Sequence, residues 1–131
     1  IRFAFNSYSL DNVYMAYLDE VAKILGKYPN LVVQTNGYTD ALGSTGYNYN
    51  LSLRRATAVA DYLKERQILP GRIIVQANGE LNPVALNKNP DGTDNSQGRS
   101  FNRRVELIFS GIPLEITLEK IDDVPESIRL R

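Results

Sequence analysis

Residues 31–80, LVVQTNGYTDALGSTGYNYNLSLRRATAVADYLKERQILPGRIIVQANGE, carry the pattern that decides the fold. Leu31 to Asn36 is rich in Val and Thr and reads as a strand. Gly37 to Tyr49 is a turn-rich connection containing Gly37, Asp40, Gly43, Ser44, Gly46 and Asn48. Ser52 then has the chemistry of a helix N-cap. Ala56, Val59, Ala60 and Leu63 follow at helical spacing, and Pro70-Gly71 closes the helix. Ile73, Val75 and Ala77 alternate with Ile74, Gln76 and Asn78 as a further strand. Strand, helix, strand in that order points to helices layered on a sheet.

The flanks extend the same pattern. Ile1 to Phe5 reads as a short strand broken by Asn6 and Ser7. Ser9 or Asp11 can cap a helix whose apolar residues Leu10, Tyr14, Tyr17, Leu18, Val21, Ile24 and Leu25 share one face. Pro29 and Asn30 end it. Gly79 to Gly98 is a long polar loop. Val105, Leu107 and Phe109 then alternate with Arg104, Glu106 and Ile108 as a last strand. The expectation is an α+β fold, an α/β sandwich of order β-α-β-α-β-(loop)-β, with helices on one face of a mixed four-stranded sheet. Residues 1–109 form the domain. Residues 110–131 form a C-terminal extension, in which Ile112 to Ile121 can add an edge strand and Asp122 to Arg131 reads as a solvated end.

Composition limits the chemistry. The 131 residues contain no histidine and no cysteine. Ser-His-Asp and Cys-His catalysis, His- or Cys-ligated metal and disulfides are therefore excluded. Lys plus Arg equals 15 and Asp plus Glu equals 15, so the formal net charge is zero. A binder that tracks nucleic-acid phosphates needs a basic surplus. No run approaches the roughly 18 apolar residues of a membrane span. The chain starts at Ile1 without a secretory leader and reads as a domain of something longer. Binding is favoured over catalysis.

The Gly37-Tyr38-Thr39-Asp40 turn lies just past a strand end, where ligands of open α/β sheets bind. Arg55 follows in what reads as the first turn of the next helix. An aspartate and an arginine facing one cavity suit a zwitterion, such as the free end of an amino acid, because guanidinium matches carboxylate as a planar fork. Two plainer readings stand beside this one: Asp40 as an Asx-turn, and Asp40 paired with Arg55 at about 0 to 1 kcal/mol. Tyr14 and Tyr17 belong to the core face of the first helix. Tyr38, Tyr47 and Tyr49 flank the proposed pocket.

The strings Asn36-Gly37-Tyr38-Thr39-Asp40, Tyr47-Asn48, Leu51-Ser52-Leu53-Arg54-Arg55-Ala56, Gly79-Glu80 with Asn82-Pro83, and Asn102-Arg103-Arg104-Val105-Glu106 occur in that order. Together they resemble the OmpA-like peptidoglycan-binding domain over about residues 1–109. That family includes the C-terminal domain of outer-membrane protein A, the peptidoglycan-associated lipoprotein and the flagellar stator's wall anchor. The resemblance implies non-catalytic binding of the peptidoglycan stem peptide at its diaminopimelate end, without a cofactor or metal. It implies a periplasmic module of a larger envelope protein tethered to the outer membrane. It also implies site residues: Asp40 and Arg55 as the ligand-binding pair, Asn48 and Asn6 lining the pocket, and Arg103 at its border. Leu42 stands where relatives often carry a small polar residue. The third strand ends in Ala77-Asn78-Gly79-Glu80 where relatives have Gly-x-Gly-Glu. Two other readings stay open: a module binding a protein of an envelope complex, and a glycan hydrolase pairing Asp40 with Glu80 or Asp61. Asn87, Asn89, Asp91 and Gly92 partly follow a calcium loop, but Gly98 occupies the place of the required Glu.

Overall fold

Asp11 starts the first helix, its carboxylate accepting the Val13 N–H at 3.3 Å. Helix α1 (Asn12–Lys27) buries Tyr14, Leu18, Val21, Ala22 and Leu25, the stripe that its spacing of three and four requires. In the computed structural model, which describes residues 1–111 and 124–130, strand β1 (Val32–Gly37) follows, then α2 (Thr45–Glu65), β2 (Ile73–Ala77), a short α3 (Ser96–Asn102) and β3 (Val105–Ser110). The sheet order is β2-β1-β3, with β1 parallel to β2 and antiparallel to β3. Val33, Ile73 and Val105 meet Leu18, Val21 and Leu25 of α1 and Val59, Ala60 and Leu63 of α2 in one core.

The α+β class agrees with the sequence, but the sheet has three strands among the described residues, not four. Residues 1–3 lie against β3 without becoming a strand. Arg2 bridges Arg104, Ile1 and Val105 exchange bonds of 3.1 and 2.7 Å, and the Phe3 N–H reaches the Arg103 carbonyl at 2.9 Å. The ladder stops there because the chain turns. The Ser7 N–H bonds the Ala4 carbonyl, and Asn6 takes a left-handed φ of 56°.

Two further differences concern helix starts. Ser52 does not cap α2. The cap is Ser44, whose hydroxyl accepts the Tyr47 N–H at 3.2 Å, so much of the expected turn-rich connection is helical. Arg55 therefore sits well inside α2, not in its first turn. Residues 96–102, the first three of them within the expected 79–98 loop, form α3 behind an Asn95 cap that accepts the Gly98 N–H at 2.8 Å.

The expected edge strand over 112–121 lies outside the described residues. The end of the chain is docked in part rather than wholly solvated. Ile128 is buried, Arg129 bridges Ala85, and the Leu130 N–H meets the Val84 carbonyl at 3.2 Å.

β1 and α2 approach closely at Gly37. A Cβ there would overlap the Ser52 carbonyl of α2, so only glycine fits. Beside it the Thr35 hydroxyl donates to the Ala56 carbonyl at 3.1 Å. This contact fixes the end of β1 against the middle of α2 and sets the distance between Asp40 and Arg55.

Candidate functional site

The turn after β1 is held on both sides. The Tyr38 N–H bonds the Arg104 carbonyl at 2.8 Å, and the Thr39 N–H bonds the Gly79 carbonyl at 2.7 Å. Asp40 follows, with its side chain 5% exposed. Its Oδ1 accepts the Leu42 N–H at 3.0 Å, the Asx-turn that the sequence allowed. Its Oδ2 faces Arg103 Nη1 at 3.2 Å and Arg99 Nη1 at 3.6 Å. Asp40 pairs with these two arginines and not with Arg55.

Arg55 is fully buried. Its Nε donates to the Ser7 carbonyl at 2.8 Å, Nη1 to Tyr38 at 3.1 Å and Nη2 to Ala4 at 3.2 Å. The Phe3 ring lies 5.5 Å from the guanidinium carbon. A guanidinium has five N–H groups, so two remain after these three bonds. Burial pushes Arg55 down to about 10, and the Arg103 charge pushes the same way against the opposing pull of Asp40. It is still a cation at neutral pH.

Asn48, almost fully buried in α2, donates from Nδ2 to Glu80 at 3.4 Å, as does the Thr45 hydroxyl at 3.4 Å. Arg103 caps α3 and donates from Nε to the Phe3 carbonyl at 3.0 Å. Asn6 is exposed at its left-handed turn. All five residues singled out in the sequence, Asp40, Arg55, Asn48, Asn6 and Arg103, line one cavity of about 230 Å³. Thr39 joins them, and Phe5, Leu42, Tyr47 and Leu51 form an apolar part of the wall.

Several sequence readings change here. Of the flanking tyrosines only Tyr47 lines the cavity. Tyr38 is buried beneath the Arg104 guanidinium, 3.8 Å from its ring. Leu42 contributes its backbone N–H to Asp40 and its half-exposed side chain to the wall. Arg99 and Phe5 were not singled out. Arg99 could have been found only by reading a helix over 96–102, which places it one turn before Arg103. In the 87–98 loop Asp91 accepts both the N–H and hydroxyl of Thr93, which holds its carboxyl below the usual range. Among the described residues no group of three or more acidic side chains is arranged to hold a metal ion.

A family model described as the OmpA family matches residues 2–97. The chain belongs to the OmpA family. Among solved structures, the peptidoglycan-associated lipoprotein of Burkholderia pseudomallei aligns with this OmpA-family chain at a TM-score of 0.75. It is 29% identical over 84% of this chain and 88% of that one. Peptidoglycan-binding protein ArfA of Mycobacterium tuberculosis is 42% identical over 93 residues, 71% of this chain and 27% of that protein. The photosystem I P700 chlorophyll a apoprotein A2 of Gloeobacter violaceus is 41% identical over 92 residues, 70% of this chain and 11% of that protein. The chain thus spans about a quarter or less of the length of these two curated relatives.

Proposed function

We propose that this chain is a non-catalytic module that binds the stem peptide of peptidoglycan at its diaminopimelate end and anchors a longer envelope protein to the wall. The observation that carries the reading is the convergence of Asp40, Arg55, Asn48, Asn6 and Arg103 on one cavity. A zwitterionic end needs an anion and a cation a short distance apart, each with spare hydrogen-bonding capacity. Arg55 has two N–H groups left for a carboxylate. Asp40 Oδ1 has capacity beyond the Leu42 N–H for an ammonium. A lysine-type stem offers the ammonium without the carboxylate and binds more weakly on this reading. The printed names of ArfA and the peptidoglycan-associated lipoprotein support the wall as the target. A periplasmic location, with the tether supplied by a longer parent, follows from that target. No described helix is long and apolar enough to cross a membrane.

Neither carboxylate pairing considered for hydrolysis gains support. Glu80 is engaged by Asn48 and Thr45, and Asp61 is exposed on α2 with Lys64 3.9 Å away.

Co-sedimentation with purified diaminopimelate-type wall tests the proposal. One charge-assisted hydrogen bond contributes about 1.5 to 3 kcal/mol, so folded Asp40→Asn and Arg55→Ala proteins are expected to bind roughly 10- to 150-fold more weakly. Wild-type binding by both folded variants would overturn the assignment. Release of soluble muropeptides by the wild-type chain would overturn the non-catalytic reading.

A further inference from the structure

We propose that Arg99 positions the Asp40 carboxylate and that Asp94, on the 87–95 loop, holds Arg99 partly away from it. The proposal rests on the stem-peptide reading of the pocket and adds the residues that tune its anion. Arg99 grips Asp94 with both arms of its fork, Nε to Oδ1 at 2.7 Å and Nη2 to Oδ2 at 2.8 Å. The third nitrogen, Nη1, lies 3.6 Å from Asp40 Oδ2, the oxygen that Arg103 already contacts at 3.2 Å. The Arg99 and Asp40 side chains are 14% and 5% exposed, so little water screens them from each other. The Asp94 side chain is 58% exposed.

The two arginines on Asp40 are anchored differently. Arg103 is tied to the Phe3 backbone carbonyl, whereas Arg99 is tied to a side chain on an exposed loop. Together they hold Oδ2 and leave Oδ1 to the Leu42 N–H. Asp94 also offsets the Arg99 charge, which weakens the hold of Arg99 on Asp40 relative to that of Arg103. Without the Asp94 carboxylate, Asp40 becomes the nearest partner for the Arg99 fork. The guanidinium would then close on Asp40 as a planar pair. A ligand ammonium would have to compete with it.

A titration of the 131-residue chain with free meso-diaminopimelate, followed at the Leu42 amide by nuclear magnetic resonance, reads this directly. Asp94→Asn, with Asp94→Ser as a second way to remove the carboxylate, is expected to shift the Leu42 amide before ligand is added. It is also expected to weaken binding about fivefold, the worth of one modest ion pair. In an Arg99→Gln background the same substitutions are expected to do neither. Asp94→Glu, which can rebuild the fork, is expected to keep wild-type affinity. A merely structural role for Asp94 would give equal losses in both backgrounds, and that result overturns the proposal. So does an unmoved Leu42 amide in folded Asp94→Asn and Asp94→Ser proteins. An Asp40→Asn control separates the two readings. If Asp40→Asn binds diaminopimelate like wild type, the pocket assignment fails. If Asp40→Asn loses binding while the Asp94 variants change nothing, only the Arg99 proposal fails.

Discussion

Arg55 lines the cavity and also braces the backbone around it. Its guanidinium bonds the carbonyls of Ala4, Ser7 and Tyr38, so two separate stretches of backbone, the 4–7 turn and the end of β1, depend on it. A buried acceptor stripped of its donor costs about 1 to 3 kcal/mol. Arg55→Ala is therefore expected to lower unfolding free energy by about 3 kcal/mol or more, measured by urea denaturation. Asp40→Asn keeps an oxygen for the Leu42 N–H but withdraws the charge that Arg103 and Arg99 face. It is therefore expected to lose binding and some stability, less than Arg55→Ala because both arginines keep a second partner in Phe3 and Asp94. Asp40 is thus the cleaner probe of ligand contact. The exposed pairs elsewhere, Lys23 with Glu20 and Arg66 with Asp19, contrast with this arrangement. Each contributes only about 0 to 1 kcal/mol.

At the scale of elements, the contact between β1 and α2 sets the site. Gly37→Ala would drive a methyl into the Ser52 carbonyl and spread the two elements. It is expected to cost about 2 kcal/mol or more in thermal melting, and to weaken diaminopimelate binding because Asp40 and Arg55 ride on the separated elements. The elements themselves differ in how far the sequence discloses them. The α1 stripe from Tyr14 to Leu25 and the alternation of β2 and β3 are burial patterns, and burial leaves a period in the sequence. The start of α2 leaves none. Gly46, Asn48 and Asn50 look like turn residues, yet Ser44 caps the helix ahead of them and Asn48 turns into the pocket. Helix α3 has seven residues with Phe101 as its single large apolar side chain, too few to mark an apolar stripe, and its Gly98 lies against the Leu86 carbonyl. Such a helix is held by tertiary contact rather than by pattern. The first strand failed for the opposite reason. Its residues are apolar enough, but the carbonyls of Phe3 and Ala4 go to Arg103 and Arg55 and the chain then turns. The pocket residues were legible because the motifs carry them. Arg99 was not, because its role depends on α3.

On the scale of the whole molecule, the chain with no histidine, no cysteine and zero net charge lines its cavity with Asp40, Arg55 and Arg103 as the charged groups beside uncharged polar and apolar side chains. The N-terminal segment is central to that economy. Deleting residues 1–7 removes the partners of Arg55 at Ala4 and Ser7 and of Arg103 at Phe3. Only Phe5 and Asn6 of that segment face the cavity. The truncated chain is nevertheless expected to melt at a lower temperature and to lose diaminopimelate binding altogether, by calorimetry and titration. The same segment has a mechanical meaning. Suppose the wall grips the pocket while a longer parent pulls at residue 1, along the direction of residues 1–3. Those residues run antiparallel to β3, so the Ile1–Val105 and Phe3–Arg103 bonds are sheared together rather than peeled one at a time. The tension that passes them arrives at Ala4 and Ser7, and so at the Arg55 guanidinium that lines the cavity. Traction on residue 1 thus reaches a side chain of the cavity wall, and Phe3, buried in the core, ties the same segment to the layer between the helices and the sheet.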